Sequence, residues 1–154
     1  MLDGDSLVHL EVREILPEDA AEVAELSVQL GYPATEAEVR ERIEAMPRRV
    51  DHFARVACLE GRVVGWIEAE VARHLQEAPH ALITGLVVRE GARSLGVGNR
   101  LCLEAEAWSR RAGLPAIRAT SRMTRERAHR FYLREGFVQI KTSAVFEKVL
   151  ADTL

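Results

Sequence analysis

The sequence predicts an α/β fold in which a mixed central sheet of six to seven strands is flanked by about four helices. Three observations predict it. Strand-period and helix-period segments alternate along the chain in the order β-α-α-β-β-β-α-β-α-β. An apolar fraction of 47% over 154 residues is enough for one sizeable core. No Pro/Gly/Ser-rich linker, repeat or low-complexity tract divides the segments, so a single domain over residues 1–154 is expected.

The elements follow in order. "VHLEVREI" (8–15) alternates Val8, Leu10 and Val12 with His9, Glu11 and Arg13, the period of a half-buried strand. "PEDAAEVAELSVQLG" (17–31) opens on proline and two acids, places Ala20, Val23, Ser27 and Leu30 at helical spacing and stops at Gly31. "TEAEVRERIEAM" (35–46) begins with Thr35 and Glu38 in a capping-box arrangement and reads as a second helix. "HFARVACLE" and "RVVGWIEAEVAR" flank a short turn at Gly61, which makes them a hairpin. "HALITGLVV" (80–88) is apolar enough for a central strand. Val97, Leu101, Ala105, Trp108 and Ala112 line one face of a helix over about 98–112, which Gly113 and Pro115 end. "AIRAT" (116–120) is a short strand, "TRERAHRFYLREG" (124–136) a helix closed by Gly136, and "FVQIKTSAVFEKVL" (137–150) a strand pair or one long strand.

Composition removes several classes of function. No apolar run approaches the roughly 20 residues of a membrane span. Asp3 and Asp5 stand where a secretory signal would be basic and then apolar, so a cytoplasmic location is expected. Two cysteines without a CxxC pair and five histidines without a His-x-x-x-His spacing give no metal site. Charge is unevenly spread: residues 1–88 carry 8 arginines against 17 carboxylates, and residues 89–134 carry 11 arginines against 4 glutamates. With a net charge of −3 and few aromatics among those arginines, a small polyphosphate ligand fits the basic block better than nucleic acid.

That block holds the glycine turn "REGARSLGVGNRL" (89–101), between the central strand and the long helix. Glycines at a helix start bring backbone N–H groups up to an anion. A Walker loop fails because Val97 and Gly98 stand where Lys and Ser/Thr are needed, and a dinucleotide fingerprint fails because Leu101 replaces its third glycine. Arg93-Ser94-Leu95-Gly96-Val97-Gly98 instead resembles the Arg/Gln-x-x-Gly-x-Gly/Ala signature of the GNAT acyltransferase superfamily. "ITGLVV" resembles that family's fourth strand, and Ala128, Tyr132, Gly136 and Phe137 in "AHRFYLREGF" match its closing segment.

The resemblance implies an acetyl-CoA-dependent N-acetyltransferase that transfers an acetyl group to a primary amine by direct attack in a ternary complex, with no metal. It implies a sheet splayed between the fourth and fifth strands, with a backbone N–H from Leu86, Val87 or Val88 facing the thioester oxygen. It implies that Arg93, Ser94, Leu95, Gly96, Val97, Gly98 and Asn99 cradle the pyrophosphate and that Tyr132 is the general acid. Arg125 stands where relatives often have an asparagine against the pantetheine arm. A homodimer is a further expectation from the family, and the acceptor is a small-molecule amine or a protein amine. Many relatives carry a glutamate near positions 84 or 85, where this chain has Thr84 and Gly85. Activation through ordered water or by a carboxylate from another strand is then expected, and Glu68 and Glu70, which share a strand face with Trp66, either serve as that base or as amine-binding groups or face solvent. The missing glutamate also leaves open an acyl-CoA-binding regulatory or interaction module without turnover.

Overall fold

A computed structural model of the chain describes residues 9–46, 50–122 and 124–151 and divides the chain into two compact units, Met1–Thr120 and Ser121–Leu154. In the first unit one sheet runs in chain order: β1 (Leu10–Glu14), β2 (His52–Leu59), β3 (Arg62–Ala72), β4 (His80–Val88) and β5 (Ile117–Ala119). The first four strands are antiparallel and β5 joins β4 in parallel. Glu60 and Gly61 join β2 to β3 at φ 52 and 79, the positive values that a tight hairpin turn requires.

Two helices, α1 (Ala20–Leu30) and α2 (Glu36–Glu44), pack on one sheet face. Thr35 caps α2 as the sequence predicts: its hydroxyl accepts from the Glu38 N–H at 3.1 Å and Glu38 accepts from the Thr35 N–H at 2.9 Å. Val23, Leu26, Val39 and Ile43 meet Val56, Val63 and Val87 of the sheet in one buried cluster, with Trp66 against it. Helix α3 (Val97–Arg111) covers the other face through Val97, Leu101, Cys102, Ala105 and Trp108, the last packed on Phe53 at 5.2 Å between ring centroids. A side chain at Gly65 would meet Val97 and Leu101 at 3.1 and 3.3 Å, so glycine there lets the start of α3 lie close on β3.

An ion pair with a buried carboxylate fixes the step from β1 into α1. Arg13 donates to both carboxylate oxygens of Asp19 at 2.9 Å, and the Leu16 N–H donates to the same carboxylate at 2.8 Å. Burial pushes the Asp19 carboxyl up, but the hydrogen bonds from Arg13 and Leu16 outweigh it and hold the group below its ordinary value. A depressed carboxyl stabilises the fold at pH values above its unfolded titration range, and the contribution disappears as pH falls through the folded value. Asp19→Asn is therefore expected to cost about 1–2 kcal/mol at pH 7, Arg13 being one-third exposed. Urea unfolding at pH 7 and at a series of lower pH values checks this, since the gap between variant and wild type should narrow as pH falls.

The second unit holds α4 (Glu126–Arg134), closed by Gly136 at φ 95 with the Phe137 N–H returning to the Tyr132 carbonyl at 2.9 Å. Here the sequence expectation fails. Six to seven strands were expected, and the described residues form five, because 137–150 carries no strand. Val138, Ile140, Val145 and Phe146 in that segment are exposed. Alternation supplies a face, but a strand exists only by hydrogen bonding to a neighbour, which no local pattern specifies.

Candidate active site

The site begins where β4 changes partners. Ala81, Leu82 and Ile83 pair with Ile117, Arg118 and Ala119 of β5, and the pairing stops there. On the other edge Glu68 lies opposite Gly85 and Ala69 opposite Ile83, so Thr84 is an extra residue, a bulge where the β4–β5 pairing ends. The Arg89 N–H donates to the Val64 carbonyl at 2.7 Å. By antiparallel alternation Gly85 and Val87 then direct their N–H groups at β3, whereas Leu86 and Val88 direct theirs to the side that β5 has left. Gln29 of α1 closes the end of β4, donating to the Val88 carbonyl at 3.0 Å and accepting from the Glu90 N–H at 3.3 Å.

Gly85 is occupied from across the ladder. A Cβ placed there would stand 2.7 Å from two ring carbons of Trp66, so the indole lies directly over this position and bars any larger residue. The indole Nε1 is buried and has no hydrogen-bond partner among the described residues. With the indole where it stands, position 85 has no room for a carboxylate-bearing side chain.

Glu68, Glu70 and Trp66 do share one face, as the alternation predicts. Their ladder partners on β2 are Ala54, His52 and Val56. Glu70 lies opposite Leu82, before the bulge, and is exposed. Glu68 lies opposite Gly85, after it, with Cα atoms about 5.5 Å apart in a hydrogen-bonded pair. His52 Nε2 lies 2.8 Å from Glu68 Oε2, and its side chain is only 12% exposed against 40% for Glu68. This contact is absent from the sequence reading, which had no means of knowing which residues β2 and β3 bring together. A cavity of about 530 Å³ is lined by His52 together with Glu14, Ile15, Ile43, Met46 and Trp108; Glu68 and the β4 bulge do not line it.

After β4 the chain makes a 3₁₀ turn (Glu90–Leu95) and enters α3 through Gly96 at φ 78. The first intrahelical bond runs from the Arg100 N–H to the Gly96 carbonyl at 3.0 Å. Gly96 has no side chain with which to cap the first turn, and that turn contains no acid, unlike those of α1, α2 and α4. Arg93, Ser94 and Leu95 are exposed, Val97 and Gly98 buried, and Asn99 exposed. Among the described residues Arg93 makes no ion pair. By contrast Arg89 is held by Glu25 and the Val63 carbonyl, and Arg100 by Glu104 at 3.1 Å.

The remaining residues lie in the second unit. Tyr132 stands on α4 between Phe131 and Phe137, with ring centroids 5.4 and 5.3 Å away and both contacts edge-on. Arg125 precedes the first turn of the same helix, and its N–H donates to the Arg122 carbonyl at 3.0 Å. Among the described residues no group of three or more His, Cys, Asp and Glu could hold a metal ion, and no helix is long and apolar enough to cross a membrane.

Comparison with known proteins gives a consistent result. Residues 16–137 match the model of the acetyltransferase (GNAT) family. An aminoalkylphosphonate N-acetyltransferase from Salmonella typhimurium is 38% identical over 86 residues, a match that spans 55% of this chain and 56% of that enzyme's length. An aminoglycoside N(6')-acetyltransferase type 1 from Stenotrophomonas maltophilia is 25% identical over 144 residues, 90% of this chain and 93% of that one. Among solved structures, an aminoglycoside N-acetyltransferase in complex with CoA superposes with a TM-score of 0.78 at 15% identity, covering 91% of this chain and 95% of that chain.

Proposed function

The chain belongs to the acetyltransferase (GNAT) family, and from that premise we propose that it transfers an acetyl group from acetyl-CoA to the primary amine of a small molecule, by direct attack within a ternary complex. One observation carries the reading: β4 bulges at Thr84, ends its pairing with β5 after Ile83, and leads into a glycine-opened, acid-free helix start. A gap between two strands is a place for a thioester, and a helix start without its own anion is a place for a pyrophosphate. The same helix start is the fit of these residues to CoA: exposed Arg93 supplies charge, and exposed Gly96, with open space where a side chain would stand, leaves the amides approachable. Residues 1–154 are read as one acetyltransferase domain.

Each residue has a task in this reading. The Leu86 N–H, directed at the gap beside the bulge, donates to the thioester oxygen as it gathers negative charge; Val88 lies at the same edge and Val87 holds the strand in the core. Residues 93 to 99 hold the pyrophosphate, and Arg125 is assigned to the cofactor from the family resemblance alone. Glu68 takes the proton of the substrate ammonium, leaving the nitrogen its electron pair for the thioester carbon. Tyr132 gives its proton to the sulfur as the C–S bond breaks. Of the two carboxylates Glu68 is the better base, because it faces the bulge across the ladder and Glu70 does not.

The acceptor class follows the relatives' named substrates, aminoalkylphosphonates and aminoglycosides. Thiol release from acetyl-CoA across a panel of both classes, with polyamines and lysine peptides alongside, tests the proposal. Release on at least one small amine is expected. Thermal stabilisation by CoA with no release on any acceptor would instead favour a binding module without turnover.

The loop carries its own prediction. Gly98→Val puts a branched side chain in the first turn of α3 and is expected to weaken CoA binding on the order of tenfold, about 1.4 kcal/mol. Calorimetry measures it, with a melting curve to establish that the variant is folded. Unchanged affinity in folded protein would remove the phosphate cradle from residues 93 to 99.

A further inference from the structure

We propose that His52 is a positioning residue for acetyl transfer, orienting the Glu68 carboxylate toward the amine; this rests on the reading of Glu68 as base. Three observations converge on it. The ring's Nε2 is 2.8 Å from Glu68 Oε2, and since an ionised carboxylate only accepts, Nε2 carries the proton and donates. The bond is diagonal across the ladder: His52 lies opposite Glu70, yet it reaches past that exposed carboxylate to the one beside the bulge. The His52 side chain is 12% exposed while its partner is 40% exposed, so the ring is the fixed member and the carboxylate the accessible one.

The geometry gives His52 a defined effect. A glutamate on a strand has several rotamers, and a free one facing a gap would sample all of them. Nε2–H holds one oxygen, which leaves the other to accept from the incoming ammonium. When Glu68 takes that proton it resides on the free oxygen, and the bond from His52 need not break.

His52→Ala, His52→Gln and Glu68→Gln, each assayed with the best acceptor from the panel, test the proposal. His52→Ala is expected to lower kcat/KM for the amine by on the order of 10²-fold, with KM for acetyl-CoA unchanged. His52→Gln places an amide N–H where Nε2–H was and is expected to recover most of the loss, which a merely space-filling role would not produce. In the ligand-free protein, at a pH where the ring is neutral, nitrogen NMR should find His52 in the Nε2–H tautomer, and Glu68→Ala should release that preference. Wild-type kinetics in folded His52→Ala, beside a large loss in Glu68→Gln, would overturn the positioning role alone. Wild-type kinetics in Glu68→Gln would overturn both it and the base.

Discussion

Tyr132→Phe is expected to give a folded protein whose acetyl-transfer step is slowed about 10²- to 10⁴-fold, the usual worth of a general acid. The substitution removes one oxygen and keeps the ring. What packs in the structure is that ring: its centroid lies 5.4 Å from Phe131 and 5.3 Å from Phe137, and phenylalanine makes the same edge-on contacts. The return of the Phe137 N–H to the residue 132 carbonyl is backbone and is untouched. The ring contacts therefore survive while the departing thiolate loses its proton donor, and a melting curve separates that loss from any change in stability. Single-turnover kinetics are the right measurement, since steady-state rates can be masked by slow product release. Near-wild-type chemistry in a folded Tyr132→Phe protein would end the general-acid assignment and leave CoA binding at residues 93 to 99 standing.

Glu68→Gln should produce a loss of similar size, about 10²- to 10⁴-fold in kcat/KM for the amine, and Glu70→Gln almost none. The pair is a controlled comparison. Both residues lie on one face of β3 two positions apart, and both substitutions keep shape while removing charge. Glu68 is opposite Gly85, past the bulge, and is bonded to His52; Glu70 is opposite Leu82, before it, and is exposed. A glutamine at 68 can still accept the His52 bond, so the dyad's geometry survives and only proton removal is lost. CoA affinity should be the same in all three proteins. Equal loss in both variants would mean that the carboxylates act through summed charge on the ammonium, and no loss in either would return them to the solvent face.

Much of this was legible along the chain because its causes are local. The period of "VHLEVREI" and of "AAEVAELSVQL" follows from which side chains must be buried, and the Thr35–Glu38 box, the Gly61 hairpin and the Gly31, Gly113 and Gly136 stops follow from backbone chemistry within a few residues. The glycine turn before α3 belongs to the same class, and it carried the family resemblance that the match over residues 16–137 bears out. The sequence by itself thus determined the elements as far as the helix closed by Gly136, their order, the turn and the shared face of Trp66, Glu68 and Glu70. Tertiary structure alone decided the rest. The bulge at Thr84, the end of β4–β5 pairing at Ile83, the indole over Gly85, Gln29 at the end of β4 and the bond from His52 to Glu68 all join residues 16 to 61 positions apart or depend on strand register. The expected strands over 137–150 failed for the same reason. Periodicity says which side of a segment is apolar, but a ladder partner, its register and the side chain that crosses it are properties of two segments at once, fixed only when the chain closes on itself.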